Sequence, residues 1–307
     1  MRSAAVALLA VGVLAGCGSE PGGGAGAAGA SRQIANGPVA PGPGPLPLAV
    51  KLANRRDPVR VPFHHPPRSG LLFDLDTGRV LWRRAPERLL PIASLTKMMT
   101  ALVVVSRAKP DTHVRITRKA LHYAGSGVGV LPRGKRVRLE TLLNGLLLPS
   151  GNDAARALAL HVGGTLAGFI ELMNQRAAQM GLRCTHYTSV DGFLDAGNHS
   201  CAVDLAALAR AMLDQPRLAR IVRRRHAILP LAVRGGRVFL YNNNPLILRG
   251  YRGVIGVKTG YTDAAGHCLV AAATRHGHRL GVVLLHSPDT GDQARKLLDR
   301  GFRILSG

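Results

Sequence analysis

Apolar β-like runs stand at both ends of this chain, and a long stretch of helical periodicity separates them. Gly70-Leu71-Leu72-Phe73-Asp74-Leu75 and Arg79-Val80-Leu81-Trp82 are joined by Asp76-Thr77-Gly78, the pattern of a hairpin. From about 94 to 225 the period changes. Leu95, Met98, Met99, Leu102 and Val103 fall at helical spacing, as do Leu142, Leu143, Leu146 and Leu147. A further helix covers roughly Leu166 to Met180 and stops at Gly181, a residue suited to the left-handed position after a helix. Strands return at Val254 to Thr259, Cys268 to Thr274 and Leu280 to Leu285, followed by a short amphipathic helix from Asp292 to Phe302. No internal repeat is visible. This order implies an α+β fold in which both termini complete one sheet and a helical subdomain is inserted between them.

Composition first suggests a different kind of protein. The 307 residues carry 41 Lys+Arg against 17 Asp+Glu, a net charge of +24, and 46% hydrophobic residues. The apolar fraction excludes a wholly disordered basic tail, and four cysteines are too few for a disulfide-built scaffold. Such a charge calls for anionic surroundings, with nucleic acid the first thought. The N-terminus argues against it. Met1-Arg2-Ser3 is a short basic start, and the uncharged run Ala4 to Ala15 is too short for a permanent membrane span but suits the core of an export signal. It ends in Leu14-Ala15-Gly16-Cys17, which resembles the bacterial lipobox, where cleavage precedes a cysteine that carries the lipid. The alternative is an ordinary secretory signal with a chance cysteine. An exported protein does not meet chromosomal DNA, so no nucleic-acid partner is expected. From Gly18 to about Val61 the sequence is rich in Gly, Ala and Pro, as in Pro41-Gly42-Pro43-Gly44-Pro45, and reads as a tether.

Three short motifs carry the chemistry. In Ser94-Leu95-Thr96-Lys97, Ser94 lies where Pro91-Ile92-Ala93 gives way to a periodic helix, and Lys97 follows one turn later on the same side. A serine hydroxyl needs a base, and a lysine neutralised by burial and nearby positive charge can be that base. The helix N-terminus adds backbone N–H groups and positive dipole for an oxyanion. A second match, Ser106-Arg107-Ala108-Lys109, falls at the far end of the same helix, before Pro110, where the dipole has the wrong sign. The second motif is Ser150-Gly151-Asn152, which alone would be a plain helix N-cap. The third is Lys258-Thr259-Gly260, which alone would be a strand entering a turn. Taken in order and context, the three match the nucleophile, polar-loop and strand motifs of penicillin-binding proteins and class A β-lactamases.

The wider strings resemble the low-mass penicillin-binding D-alanyl-D-alanine carboxypeptidases. They are Pro91 to Thr100, Leu146 to Ala155 and Gly256 to Thr262, with Phe169 to Asn174, Met180-Gly181-Leu182 and Asn242-Asn243-Asn244 in support. The similarity runs from about Pro62 to the end. It implies a β-lactamase/transpeptidase-like fold, with an antiparallel sheet flanked by helices. It also implies that Ser94 attacks the carbonyl between the two terminal D-alanines of a peptidoglycan stem peptide, with Lys97 taking its proton. Ser150 would relay protons between Lys97, Lys258 and the leaving amine, and Asn152 would hydrogen-bond the substrate amide and the lysine. Lys258 and Thr259 would hold the terminal carboxylate, and Gly260 would leave space for substrate to add along the strand. The backbone N–H groups of Ser94 and Tyr261 would form the oxyanion hole. β-Lactams would act as inhibitors, and no cofactor is expected.

Two departures stand out. Many members carry an arginine before the terminal helix, whereas here the stretch is Ser287-Pro288-Asp289-Thr290-Gly291-Asp292, which shifts carboxylate binding toward Lys258 and Thr259. The residue between Ser150 and Asn152 is Gly151, as in the carboxypeptidases, where class A β-lactamases usually carry Asp. β-Lactamase action would need a deacylating glutamate, and Glu171 lies in a helix only 19 residues past Asn152. A catalytically idle wall-binding lipoprotein is the third reading, disfavoured by the intact motifs. Cys184 and Cys201 flank a loop; a bridge would close about 18 residues, and the alternative is two unpaired thiols. Cys268 reads as a small buried apolar residue. His64-His65 and His276-Gly277-His278 lack partners at metal-ligand spacing. Residues 1–16 are thus expected to be a lipoprotein signal peptide, 17–61 a tether and 62–307 the catalytic domain, held by lipid to the outer side of the cell membrane among anionic wall polymers.

Overall fold

Both faces of the central sheet are covered, which is why its strands read as unbroken apolar runs. The computed structural model describes residues 49–53, 56–193 and 196–306. Its five-stranded sheet is formed by β1 (Ser69–Asp74), β2 (Val80–Arg84), β9 (Val254–Thr262), β10 (Gly266–Arg275) and β11 (His278–Leu285), in the order β2-β1-β11-β10-β9. Every pairing is antiparallel. β1 lies against β11, with Ser69 opposite Leu285, so the first and last strands of the sheet in chain order are neighbours in it.

Strand alternation splits the core in two. Leu71, Phe73, Val270, Ala272, Val283 and Leu285 face the helical layer. Leu72, Leu269, Ala271, Val282 and Leu284 face the opposite side, where Leu297, Leu298 and Phe302 of the terminal helix pack on them. Each such fully buried Leu or Phe contributes roughly 1.5–3 kcal/mol of transfer free energy.

The segment between β2 and β9 is the helical insertion. It holds α1 (Lys97–Arg107), α2 (Arg118–Leu121), α3 (Leu139–Leu147), α4 (Asn152–Gly163), α5 (Leu166–Gln179), α6 (Ala202–Asp214), α7 (Pro216–Val222) and α8 (Pro245–Leu248). The terminal helix is α9 (Thr290–Ser306). Small two-stranded ladders punctuate the insertion: β3 (Leu90–Pro91) with β6 (His199–Ser200), β4 (His113–Arg115) with β5 (Arg136–Arg138), and β7 (His226–Pro230) with β8 (Arg237–Tyr241). Helix α5 ends as its sequence suggests, with Gly181 at φ +68° just past the cap.

Two expectations are corrected. The tether boundary at Val61 is too late, because residues 49–53 and 56–61 pack on the domain. Val59 is buried and its N–H donates to the Leu81 carbonyl at 2.9 Å, and Asp57 binds Arg83 at 2.8 Å. The glycine- and proline-dense composition stops before this stretch, and Val59, Val61 and Phe63 supply an apolar edge that joins the α9 side of the core. The signal peptide, Cys17 and the tether up to residue 48 lie outside the described residues. The strand expected to end at Thr259 instead runs through the third motif to Thr262. Its partner β10 starts at Gly266 and continues the ladder, with Lys258 opposite Val270 and Gly260 opposite Cys268.

Candidate active site

Ser94 sits in a tight turn that opens directly into α1. Residues Ala93–Thr96 form one 3-10 turn, and Lys97 is the first residue of the helix. In 3-10 geometry residues three apart lie above one another, which sets Lys97 beside Ser94. The Lys97 Nζ donates to Ser94 Oγ at 2.7 Å and to the Asp191 carbonyl at 2.8 Å. Lys97 is wholly buried. That burial pushes its pKa down to about 8, against an opposing pull from the Asp191 and Asp153 carboxylates. Near neutral pH a fraction of this amine is therefore free to accept a proton, the requirement for a lysine base.

A second buried lysine comes from the sheet. Lys258 on β9 donates to the Thr259 carbonyl at 2.8 Å, and its pKa is held well below the ordinary lysine range, chiefly by burial and secondly by Lys97. The Lys97 ammonium thus makes Lys258 harder to charge.

The third wall is the start of α4. Ser150 adopts φ +68°, Gly151 is the N-cap and Asn152 the first helical residue. A Cβ on Gly151 would stand 3.0 Å from the Val128 amide and 2.9 Å from the Val128 side chain, so glycine lets the 124–129 loop close on this corner. That loop is held by the Asp153 carboxylate, which accepts from Val128 N–H at 2.8 Å and Gly129 N–H at 2.9 Å. Asn152 adds two bonds, from its N–H to the Ser126 carbonyl at 2.7 Å and from Nδ2 to the Ala124 carbonyl at 2.6 Å. Ser150 Oγ and Asn152 Oδ1 are buried without a hydrogen-bond partner in the protein. Buried polar atoms are almost always satisfied, so these two mark where a polar ligand completes the site.

These walls enclose a cavity of about 370 Å³. Ser94, Ser150, Thr259, Gly260 and Tyr261, all singled out from sequence, line it. Lys97, Asn152 and Lys258 lie buried behind that lining. Ser126, Asn243, His267 and Thr290 also line the cavity and were not anticipated. Their signals were faint: Ser126 sits in a Gly-Ser-Gly run, and His267 enters only because β10 places it opposite Tyr261, where the rings stack at 4.5 Å. Asp191 acts on Lys97 through a backbone carbonyl, which no residue type advertises.

Geometry and sequence order agree with comparison to known proteins. The profile described as D-alanyl-D-alanine carboxypeptidase, a peptidase family, matches residues 58–289. The chain belongs to the D-alanyl-D-alanine carboxypeptidase family. Over 247 residues it is 36% identical to the carboxypeptidase DacB2 of Mycobacterium tuberculosis, covering 78% of this chain and 83% of that protein. To DacF of Bacillus subtilis it is 32% identical over 247 residues, covering 78% of this chain but only 62% of DacF. A Streptomyces DD-transpeptidase structure superposes with a TM-score of 0.75 at 32% identity, covering 80% of this chain and all of that one. A Mycobacterium tuberculosis D-alanyl-D-alanine carboxypeptidase structure gives 0.74 at 35% identity, covering 80% and 94%. The fold is accordingly that of the penicillin-binding DD-peptidases, α+β with an antiparallel sheet.

Within this carboxypeptidase family framework, the structure adds three details to the sequence reading. The close approach at Gly260 is to the turn that carries Ser94: a Cβ there would stand 2.9 Å from the Ile92 carbonyl and 3.1 Å from the Ser94 amide. Asn152 Nδ2 bonds the Ala124 carbonyl, and Lys97 takes its second acceptor from Asp191. Finally, the arginine missing before α9 has a neighbour in space. Arg249, at the end of α8, would have an Nη1 only 3.1 Å from a Cβ on Gly291, next to Thr290 of the cavity.

Proposed function

We propose that this chain is a serine D-Ala-D-Ala carboxypeptidase that removes the terminal D-alanine of peptidoglycan stem peptides through an acyl-enzyme on Ser94. One observation carries the reading: a serine hydroxyl 2.7 Å from a wholly buried lysine, at the mouth of a cavity bounded by Ser150 and by Thr259. Ser94 Oγ gives its proton to neutral Lys97 as it bonds the scissile carbonyl carbon. The resulting oxyanion is received by the Ser94 and Tyr261 amides; a Cβ on Gly260 would stand 3.1 Å from the first of them. Lys97 returns that proton through the Ser150 hydroxyl to the departing D-alanine nitrogen, and the C–N bond breaks. Thr259 and Lys258 hold the terminal carboxylate. Water then attacks the ester as Lys97 takes its proton, and Lys97 passes that proton to Ser94 Oγ as the ester C–O bond breaks, releasing the shortened peptide.

The direct test is release of D-alanine from an acylated peptide ending in D-Ala-D-Ala, against its D-Ala-L-Ala counterpart. Stereospecific release, abolished by prior treatment with benzylpenicillin, is expected. No release at any pH between 6 and 10, roughly the span over which such a lysine titrates, would overturn the reading.

The β-lactamase alternative is weaker. Among the described residues no Asp or Glu lines the cavity, and Glu171 is exposed on α5, accepting a bond from Gln175 at 3.2 Å. The penicilloyl adduct is therefore expected to persist for minutes in a chase assay, with Glu171→Gln no slower to clear it. Rapid turnover that depends on Glu171 would revive that alternative.

We place the protein in the cell envelope, anchored through a lipid on Cys17 and retained among anionic wall polymers by its +24 charge. The lipobox-like Leu14-Ala15-Gly16-Cys17 supports the first point and the charge the second. An N-terminal peptide without acyl mass would sink the anchor, and wall binding indifferent to salt would sink the electrostatic retention.

A further inference from the structure

The one disulfide among the described residues lies outside the cavity, yet the loop it closes ends on the catalytic lysine. Cys184 and Cys201 are bonded, with Cα atoms 5.5 Å apart. At the base, the Asp204 carboxylate accepts from the Cys184 N–H and the Thr185 hydroxyl, both at 2.7 Å, and His186 and His199 exchange two backbone bonds at 3.0 Å. The two legs leaving this base both reach the nucleophile turn. From the first, the Val190 carbonyl accepts from Thr100 Oγ1 at 2.7 Å and the Asp191 carbonyl accepts from Lys97 Nζ at 2.8 Å. Gly192 follows at φ +76°, so close to the turn that a Cβ would stand 1.9 Å from the Ala93 carbonyl oxygen. From the second, buried Asn198 donates to Thr96 Oγ1 at 2.9 Å. Thr96 lies between Ser94 and Lys97 in the first motif.

We infer that the Cys184–Cys201 bridge is a positioning element for Lys97, holding the loop that supplies the lysine's second hydrogen-bond acceptor and seals it from water. The argument is geometric. Lys97 is wholly buried, and residues 190–192 are part of what buries it. A closed loop has fewer open conformations than a linear one of the same length, so the bridge keeps this cover shut. The charged groups facing Lys97 are Asp191 on the loop, Asp153 on α4 and Lys258 on β9. Opening the loop would admit water and remove Asp191 from the lysine, leaving Asp153 and Lys258 in place. Hydration raises its pKa while loss of the Asp191 carboxylate lowers it; burial is the larger cause, so Lys97 would hold its proton more tightly and serve less well as a base at neutral pH.

This inference rests on acylation of Ser94, and its test keeps the two separable. Fluorescent penicillin labelling would be timed from pH 6 to 10 for the intact protein, for protein reduced with dithiothreitol, and for the variant C184S/C201S. In the intact protein labelling should rise through a midpoint near 8, the value to which Lys97 is pushed. After reduction the midpoint should move upward by at least about half a unit and the rate at pH 7 fall at least about threefold, as the neutral fraction of a base shrinks. The double variant should reproduce both changes, and Asn198→Ala should shift the midpoint in the same direction with the bridge intact. If the double variant fails to fold, reduction of the folded protein still decides. A lower melting temperature with unchanged rate and midpoint would overturn the inference, since that is what a merely structural bridge predicts. Failure of the intact protein to label would instead refute the acylation reading beneath it.

Discussion

Lys97→Arg is expected to lower acylation of Ser94 by penicillin by about a thousandfold at pH 7, within the range that a positioned base contributes. Arginine keeps a positive charge at position 97 but cannot give up its proton. The substitution therefore separates two roles that lysine combines, electrostatic stabilisation and proton acceptance. The wild-type pH profile carries the same information. Burial holds Lys97 at a pKa of about 8. Below that value the protonated form dominates, so the rate should fall about tenfold per pH unit as pH drops, and above it the rate should level off. Stopped-flow or gel-based labelling from pH 6 to 10 reads this directly. An arginine variant as fast as wild type, or a flat wild-type profile, would mean that another group takes the serine proton. The buried neighbour Lys258 is the obvious rival, because it too is held below the ordinary lysine range.

Ser94→Ala is expected to abolish D-alanine release, with a loss on the order of 10⁵-fold or more, as removal of the nucleophile does in other serine hydrolases. The side chain removed is a single hydroxyl at the cavity wall, and its loss leaves Lys97 still bonded to the Asp191 carbonyl at 2.8 Å. The variant should thus keep its melting temperature within a few degrees and still bind penicillin non-covalently. Residual covalent labelling at a substantial fraction of the wild-type rate would point to a different nucleophile, with Ser126 and Ser150 the other serines in the lining.

The architecture was legible because the sheet is buried on both faces and its strands carry near-continuous Leu, Val and Ala. The hairpin β1–β2 and strands β10 and β11 could be read from such runs. The ladder β7–β8 could not, since His226–Pro230 and Arg237–Tyr241 are short and mostly exposed, with polar and apolar residues mixed on the outer face. The N-terminal edge was misjudged for a related reason. Composition separates a glycine- and proline-rich tether from a core, but Val59 and Asp57 dock by one buried side chain and one ion pair, too little to change the composition of a window.

The site was readable where side-chain chemistry is concentrated in short motifs and unreadable where the backbone acts. Ser94, Lys97, Ser150, Asn152 and Lys258 are singled out by residue type and order; Ser94 and Ser150 line one cavity, Lys97 bonds Ser94, and Asn152 and Lys258 are buried. The Asp191 carbonyl, the Gly192 approach and the Asp153 clamp on the 124–129 loop depend on chain path alone. Sequence left the pairing of Cys184 with Cys201 open, because only the fold brings their Cα atoms to 5.5 Å.

The central claim is that Ser94 is the nucleophile, and peptide mapping of benzylpenicillin-treated protein tests it most directly. After brief labelling at pH 8, quenching and proteolysis, a single penicilloyl mass increment is expected on the peptide that contains Ser94, and fragmentation should assign it to that residue. An increment on Ser150 or on any other residue, or intact protein of unmodified mass after prolonged exposure, would contradict the account.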